Sequence, residues 1–178
     1  MPKSSSTQIK YLTVSAMLCA VSVIVLALGA LIETVDISVA VIASLFCVYA
    51  VIEIGGIYPW MIWLVTSVVA FLLLPMKTPV LFYALLTGFY PILKAKMEKL
   101  PRVPSWILKL VVFHICLGVI YLIMKLFLPT ALEGAETLPM LLLLYVMSLV
   151  CFILYDVCLT RLITFYFVKL RNRLRIKP

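Results

Sequence analysis

The sequence predicts an all-α integral membrane protein, folded as a compact bundle of six transmembrane helices. Of its 178 residues, 66% are hydrophobic and only 12% are charged, and the mean hydropathy is +1.24. A soluble domain of this size needs more polar residues to cover its surface. The apolar residues also form long runs, separated by short turns that contain proline, glycine or charged residues. This pattern is typical of a chain that crosses a membrane several times.

The first apolar run, residues 11–32, contains no charged residue. At ~1.5 Å per residue, one helix of this length crosses a hydrocarbon core of about 30 Å. Ala16 and Ala20 are four residues apart and share one helix face. Three further small residues flank them, namely Ser15, Cys19 and Ser22. Because small residues allow close helix packing in lipid, the pair is either a docking face or an ordinary contact within the bundle.

The remaining helices follow from the breaks between apolar runs. Gly55-Gly56 ends the second helix, and the proline-containing turns 75–79 and 101–105 separate the next three. Gly88 and Pro91 are expected to bend helix 4. One domain over residues 1–178 is predicted, with helices at about 11–32, 37–54, 58–74, 80–97, 106–128 and 138–165 and a basic tail at 169–178.

The basic residues predict the orientation of the chain. With the N-terminus inside, only Lys77 and Lys125 of the 15 basic residues fall on the outer side. Positive charge marks cytoplasmic loops, so both termini are expected in the cytoplasm. The net charge of +8 is then an orientation signal that also favours anionic lipid headgroups, and it implies no nucleic-acid partner.

Two ionisable residues lie within predicted helices and are candidates for function, because such residues are costly at membrane depth. His114 is predicted toward the cytoplasmic part of helix 5, as a proton relay, a ligand contact or a neutral imidazole hydrogen-bonded within the bundle. Asp156 is expected to form an ion pair with Lys109 or Arg161. The five cysteines lie in apolar runs without a CxxC pair, which predicts free thiols.

The predicted outer half combines both charge signs with several phenols, as expected of a small-molecule site. The alternative is that these charges are only solvated and that the Lys125 side chain extends to the interface. The candidate ligand-binding residues are Glu33, Asp36, Lys77, Tyr83, Tyr121, Lys125 and Tyr145.

Several motifs are missing from the sequence. It has no GxxxxGK for ATP, no HExxH or GxSxG, and a single histidine. We therefore expect no catalytic residues, no metal site and no cofactor, and the chain is not predicted to be an enzyme. No inverted repeat with matched broken helices is seen, which argues against a self-sufficient secondary transporter.

The chain resembles the substrate-binding S components of energy-coupling-factor (ECF) transporters. The resemblance lies in the length, the six helices, the cytoplasmic termini and an alanine-x-x-x-alanine motif at residues 16–20 of the first helix. It implies that Ala16 and Ala20 dock on a separate transmembrane T component driven by two cytoplasmic ATPases. It also implies that a vitamin or similar metabolite binds near the outer face, and it places the protein in a bacterial plasma membrane.

The predicted function is therefore substrate capture for a transporter powered by other chains. The main alternative is a membrane scaffold or accessory subunit that binds a protein partner and no small ligand. An intramembrane enzyme acting on lipid is the third possibility, disfavoured because no acid–base pair or nucleophile arrangement can be assembled.

Overall fold

The computed structural model describes residues 5–32, 35–127 and 137–170, and these residues form helices and turns without a strand. Six helices are present in the described part of the chain. They are α1 Ser5–Ala30, α2 Asp36–Glu53, α3 Tyr58–Leu73, α4 Thr78–Met97, α5 Arg102–Phe127 and α6 Leu138–Phe165, the last continued by a π-helical turn at Tyr166–Leu170.

Five of the six helices are long and apolar enough to cross a membrane, and α3 is the shorter exception with 16 residues. At ~1.5 Å per residue, α3 measures about 24 Å, less than a typical hydrocarbon core. Its limits have clear local causes. Gly55 and Gly56 precede it with φ angles of +65°, and Leu74 ends it in an extended conformation. The all-helical class is confirmed for the described residues, and the five long apolar helices are consistent with a multi-pass membrane protein. The cytoplasmic position of the termini stays a prediction.

The helix boundaries follow the apolar runs closely, and the larger differences are at the starts of α1 and α5. Helix α1 begins at Ser5 rather than at residue 11, and α5 begins at Arg102 rather than at residue 106. Polar residues can extend a helix beyond the membrane, so hydropathy alone underestimates its length. The five cysteines are free, as predicted.

The described residues divide into two compact units, one ending at Lys109 and the other beginning at Leu110. The expectation of a single compact domain over the whole chain stays a prediction. In the first unit, α1 packs against α2 and α3, and α4 packs mainly against α2. Gly29 allows the approach of α1 to α2, because a Cβ atom there would lie 2.5 Å from Cγ1 of Val39.

Two hydrophobic clusters show that the first four helices run up and down. One cluster joins the end of α1, the start of α2, the end of α3 and the start of α4; we call this the loop-1 end. Its buried members are Leu26, Ala30, Ala40, Ala43, Ala70, Leu74, Val80 and Tyr83. The other cluster, at the opposite end, combines Ala50, Ile54 and Ile62 with the partly buried Tyr11, Val14, Leu18, Cys19 and Tyr58.

Helix α4 is irregular in its middle. Thr78–Phe82 is α-helical, Tyr83–Thr87 forms a π-helical turn, and Tyr90–Met97 is α-helical again. The N–H of Gly88 donates to the carbonyl of Tyr83 at 2.7 Å, five residues earlier, which is the π-type hydrogen bond. The irregularity that was expected near Gly88 and Pro91 is present, and it begins earlier, at Tyr83.

Two hydrogen bonds to neighbouring helices hold this π-helical turn in place. The indole N–H of Trp63 in α3 donates to the carbonyl of Ala84 at 2.9 Å. The hydroxyl of Thr87 donates to the carbonyl of Ala40 in α2 at 3.0 Å. Both bonds use main-chain carbonyls as acceptors, so α4 is fixed to α2 and α3 by polar contacts within an apolar core.

Candidate functional site

The docking residues predicted on α1 lie on its outward surface. Ala16 and Ala20 are both exposed, whereas Ser15 and Ser22 on the adjoining face are only 5% and 0% exposed. The hydroxyl of Ser22 donates to the carbonyl of Leu18 within the same helix. The small residues beside the alanine pair are therefore used inside the first unit, and the alanine pair itself remains accessible.

The outward face of α1 carries larger side chains on both sides of the alanine pair. Ile9, Met17, Ile24 and Leu28 are 64%, 69%, 58% and 60% exposed. Among these branched or long side chains, the two methyl groups form the lowest part of the surface. A second helix can approach closest there, because contact distance between helices depends on the size of the facing side chains.

The loop-1 end holds three of the predicted ligand-binding residues, namely Asp36, Lys77 and Tyr83. Lys77 donates to the carbonyls of Phe71 and Leu74, each at 2.6 Å, and its ammonium lies 4.9 Å from the centre of the Phe71 ring. These carbonyls belong to the last turn of α3, so the cation neutralises the negative end of that helix. Glu33 lies outside the described residues.

Asp36 and Tyr83 are the other predicted residues at this end. Asp36 is the first residue of α2, where a carboxylate is favoured by the helix dipole. Tyr83 is 0% exposed and packs in the core cluster of the loop-1 end. Tyr83 therefore contributes to the core at the start of the π-helical turn, and its role in ligand binding stays a prediction.

The three predicted residues of the second unit are exposed. Tyr121 and Lys125 lie on α5, and Tyr145 lies on α6, where it is 40% exposed. The hydroxyl of Tyr145 lies 2.7 Å from Nε2 of His114. Tyr145 was predicted in the outer half and His114 toward the cytoplasm, and the structure brings their side chains into contact.

The hydrogen bonds of His114 determine which nitrogen carries the proton. Nδ1 lies 2.7 Å from the carbonyl oxygen of Leu110, which can only accept, so Nδ1 is the protonated nitrogen. In a neutral ring, Nε2 then accepts the proton of the Tyr145 hydroxyl. This is the hydrogen-bonded imidazole that the sequence offered as one alternative for His114.

An aromatic stack lies next to this pair. The rings of Phe113 and Phe152 are stacked with centroids 4.6 Å apart, and the His114 ring meets Phe113 edge-on at 5.5 Å. Phe113 and Phe152 are 1% and 3% exposed, so they form the buried contact between α5 and α6 in this unit. The stack fixes the two helices at the level where His114 and Tyr145 meet.

A charged cluster closes the end of the first unit opposite the loop-1 end. Glu98 accepts from Lys94 at 3.3 Å and from Lys109 at 3.7 Å. The Lys94 side chain is only 1% exposed, and that of Glu98 is 42% exposed. The structure pairs Lys109 with Glu98, which lies four residues after Lys94. The ion pair expected between Asp156 and Lys109 or Arg161 stays a prediction.

Two lysines at the same end lie over indole rings. Lys96 is 5.5 Å from the Trp60 ring and Lys109 is 5.3 Å from the Trp106 ring. Tryptophan and lysine together are typical of a membrane–water interface. The described residues contain no group of three His, Cys, Asp or Glu side chains that could hold a metal ion.

Sequence reasoning missed the polar contacts of Trp63 and Thr87 and the pairing of His114 with Tyr145. The spacing of residues within α5 carries no signal for the last contact, because Tyr145 lies on α6. The described residues form an all-helical fold in which five helices are long and apolar enough to cross a membrane. Comparisons with protein-family models, curated proteins and solved structures find no match to the chain.

Proposed function

We propose that the protein is the substrate-capture subunit of an ECF-type transporter in a bacterial plasma membrane. It binds a vitamin or similar small metabolite from the outer side and docks on a separate T component that two cytoplasmic ATPases drive. The observation that supports this proposal best is the exposure of Ala16 and Ala20 on α1, next to a face that the first unit has already buried.

The division of α1 into two faces suits such a subunit. Ser22 and Leu26 are fully buried against the neighbouring helices, so one face holds α1 in its own bundle. The opposite face presents two methyl groups over about one helical turn, which lets a partner helix pack closely. Without this separation, a docking partner would have to displace contacts that the subunit needs for its own fold.

The proposal predicts that a bulky side chain at the docking face blocks assembly without unfolding the protein. Ala16→Trp places an indole where a partner helix would pack, so uptake and co-purification with the T component should both be lost. Leu28→Trp is the matched control, because Leu28 is also exposed on α1 but lies about 18 Å from Ala16 along the helix axis. Normal co-purification of Ala16→Trp would contradict the proposal.

The scaffold alternative predicts partner binding without a small ligand. Thermal unfolding of the purified protein in detergent, measured with and without vitamins and related metabolites, separates the two. A ligand that binds only the folded state raises its stability by about 2.7 kcal/mol at 100 times its Kd. A saturable rise in the unfolding temperature supports capture, whereas no rise across a broad panel supports the scaffold.

A further inference from the structure

His114 lies at the middle of α5, a helix that is long enough to cross a membrane, and its partner Tyr145 is the eighth residue of α6. His114 is the thirteenth of the 26 residues of α5, so it lies roughly 18–20 Å from either end. Both side chains are exposed on the surface of the second unit. Polar groups at this depth are costly in lipid, so their accessibility requires an explanation beyond the contact between two helices.

The direction of the hydrogen bonds determines what the pair can offer to a further group. The Nδ1–H of His114 is donated to Leu110, and the hydroxyl proton of Tyr145 is donated to Nε2. Neither side chain has a proton left to donate. The phenolic oxygen keeps lone pairs and, in the described part of the chain, has no other hydrogen-bond partner.

The hydrogen bond to the imidazole makes this oxygen a stronger acceptor. When a phenol donates its proton to a basic nitrogen, electron density shifts toward its oxygen, and bonds in such a chain reinforce one another. The low dielectric of the membrane interior strengthens any further interaction with this oxygen. The pair is therefore built to accept a hydrogen bond from a strong donor.

Space for such a donor lies next to His114 on the same face of α5. A Cβ atom added to Gly118, one turn away, would meet no atom within 4 Å. Tyr121, seven residues after His114, is 41% exposed on this face. Open space beside Gly118, on a helix face that also carries an imidazole and a phenol ring, suits a positively charged group, because aromatic faces attract cations.

We propose that the His114–Tyr145 pair binds the organic ammonium group of a small cationic metabolite. An ammonium supplies the strong N–H donor that the phenolic oxygen lacks, and a carboxylate at the same place would meet only lone pairs. That the bound ammonium belongs to a captured metabolite rests on the proposed function. The test of ammonium binding itself does not depend on that function.

The single histidine of the chain makes a direct test possible. The protein labelled with ¹⁵N-histidine, purified in detergent, should show the Nδ1–H tautomer by NMR. Phenethylammonium chloride is the probe, and sodium 3-phenylpropionate, with the same ring and the opposite charge, is the matched control. The ammonium should shift the Nε2 resonance saturably, and the carboxylate should leave it unchanged.

Two variants connect the signal to the proposed contact. Tyr145→Phe removes the acceptor and keeps the ring, so the response to phenethylammonium should weaken at least tenfold, while the unfolding temperature shows that the variant is folded. Tyr58→Phe, in the first unit, removes a phenol that the proposal does not use and should retain the response. Equal shifts from both probes, no shift at saturating ammonium, or an unchanged response in Tyr145→Phe would each overturn the inference.

This test fails independently of the docking test. If phenethylammonium does not bind but Ala16→Trp still abolishes co-purification with the T component, the ligand inference is wrong and the proposed function stands. If phenethylammonium binds through Tyr145 and Ala16→Trp assembles normally, the ligand site stands and the transporter assignment is wrong.

Discussion

The two units of the protein treat their polar side chains in opposite ways. In the first unit, Trp63 and Thr87 donate to main-chain carbonyls of neighbouring helix segments, and Thr87 is only 2% exposed. In the second unit, His114 and Tyr145 form their hydrogen bond on an exposed face. The first arrangement satisfies buried groups and fixes the fold, and the second leaves acceptor capacity at the surface.

Burial along the helices shows the same contrast. In the most apolar stretch of α4, 50% of the residues are buried, compared with 11% in that of α6. A helix that buries half of its residues is held by its neighbours, whereas a helix with one face in contact has the rest available for lipid, ligand or partner. The first unit is therefore expected to determine stability, and the second to tolerate substitution.

The largest expected effect comes from adding a methyl group to a glycine in each unit. At Gly88 a Cβ atom would lie 2.7 Å from the Tyr83 carbonyl oxygen and 2.8 Å from Cδ1 of Trp63, so Gly88→Ala should destabilise the protein by about 1–3 kcal/mol. At Gly118 nothing lies within 4 Å, and Gly118→Ala should be neutral or stabilising by up to ~1 kcal/mol.

Thermal unfolding of the two glycine variants in the same detergent measures this difference. Gly88→Ala should unfold several degrees below the unmodified protein, and Gly118→Ala at or above it. Equal unfolding temperatures, or a larger loss for Gly118→Ala, would show that the two units do not differ in packing as described.

A smaller effect is expected from the two lysines of the predicted outer side. Lys77→Met removes the ammonium that donates to two carbonyls at the end of α3, at a cost of about 1–2 kcal/mol. Lys125→Met, at an exposed position of α5, should change stability by less than ~0.5 kcal/mol. Unfolding in denaturant provides both values, and a Lys125 variant as unstable as the Lys77 variant would contradict the capping role.

The helices themselves could be predicted from the sequence because apolar runs and their breaks depend on local composition. Gly55, Gly56 and the prolines mark the ends of helices by backbone chemistry alone. The π-helical turn of α4 could not be predicted, because it depends on contacts with Trp63 and Ala40, which come from other helices. Tertiary contacts of this kind leave no periodic signal in the segment itself.

The sites were predicted less completely, for a related reason. The exposed alanine pair of α1 follows from spacing, since residues four apart share a face wherever the helix lies. The depth of His114 was counted from a helix start at residue 106, and the actual start at Arg102 places it at the centre of α5. Tyr145 then becomes its neighbour, a contact that no single-helix pattern encodes.

These observations lead to one central claim, namely that docking and ligand binding are properties of different units. We propose docking through Ala16 and Ala20 on α1, and binding of an ammonium group through His114 and Tyr145 on α5 and α6. A substitution at either site should therefore abolish one of the two functions and leave the other intact. A shared site would couple the two losses in every variant.

A crossed assay of Ala16→Trp and Tyr145→Phe tests this claim most directly. Each variant is scored for co-purification with the T component and for the ¹⁵N-histidine response to phenethylammonium. We expect Ala16→Trp to lose only co-purification and Tyr145→Phe to lose only the ammonium response. Loss of both properties in either folded variant, or of neither property in both variants, would contradict the claim.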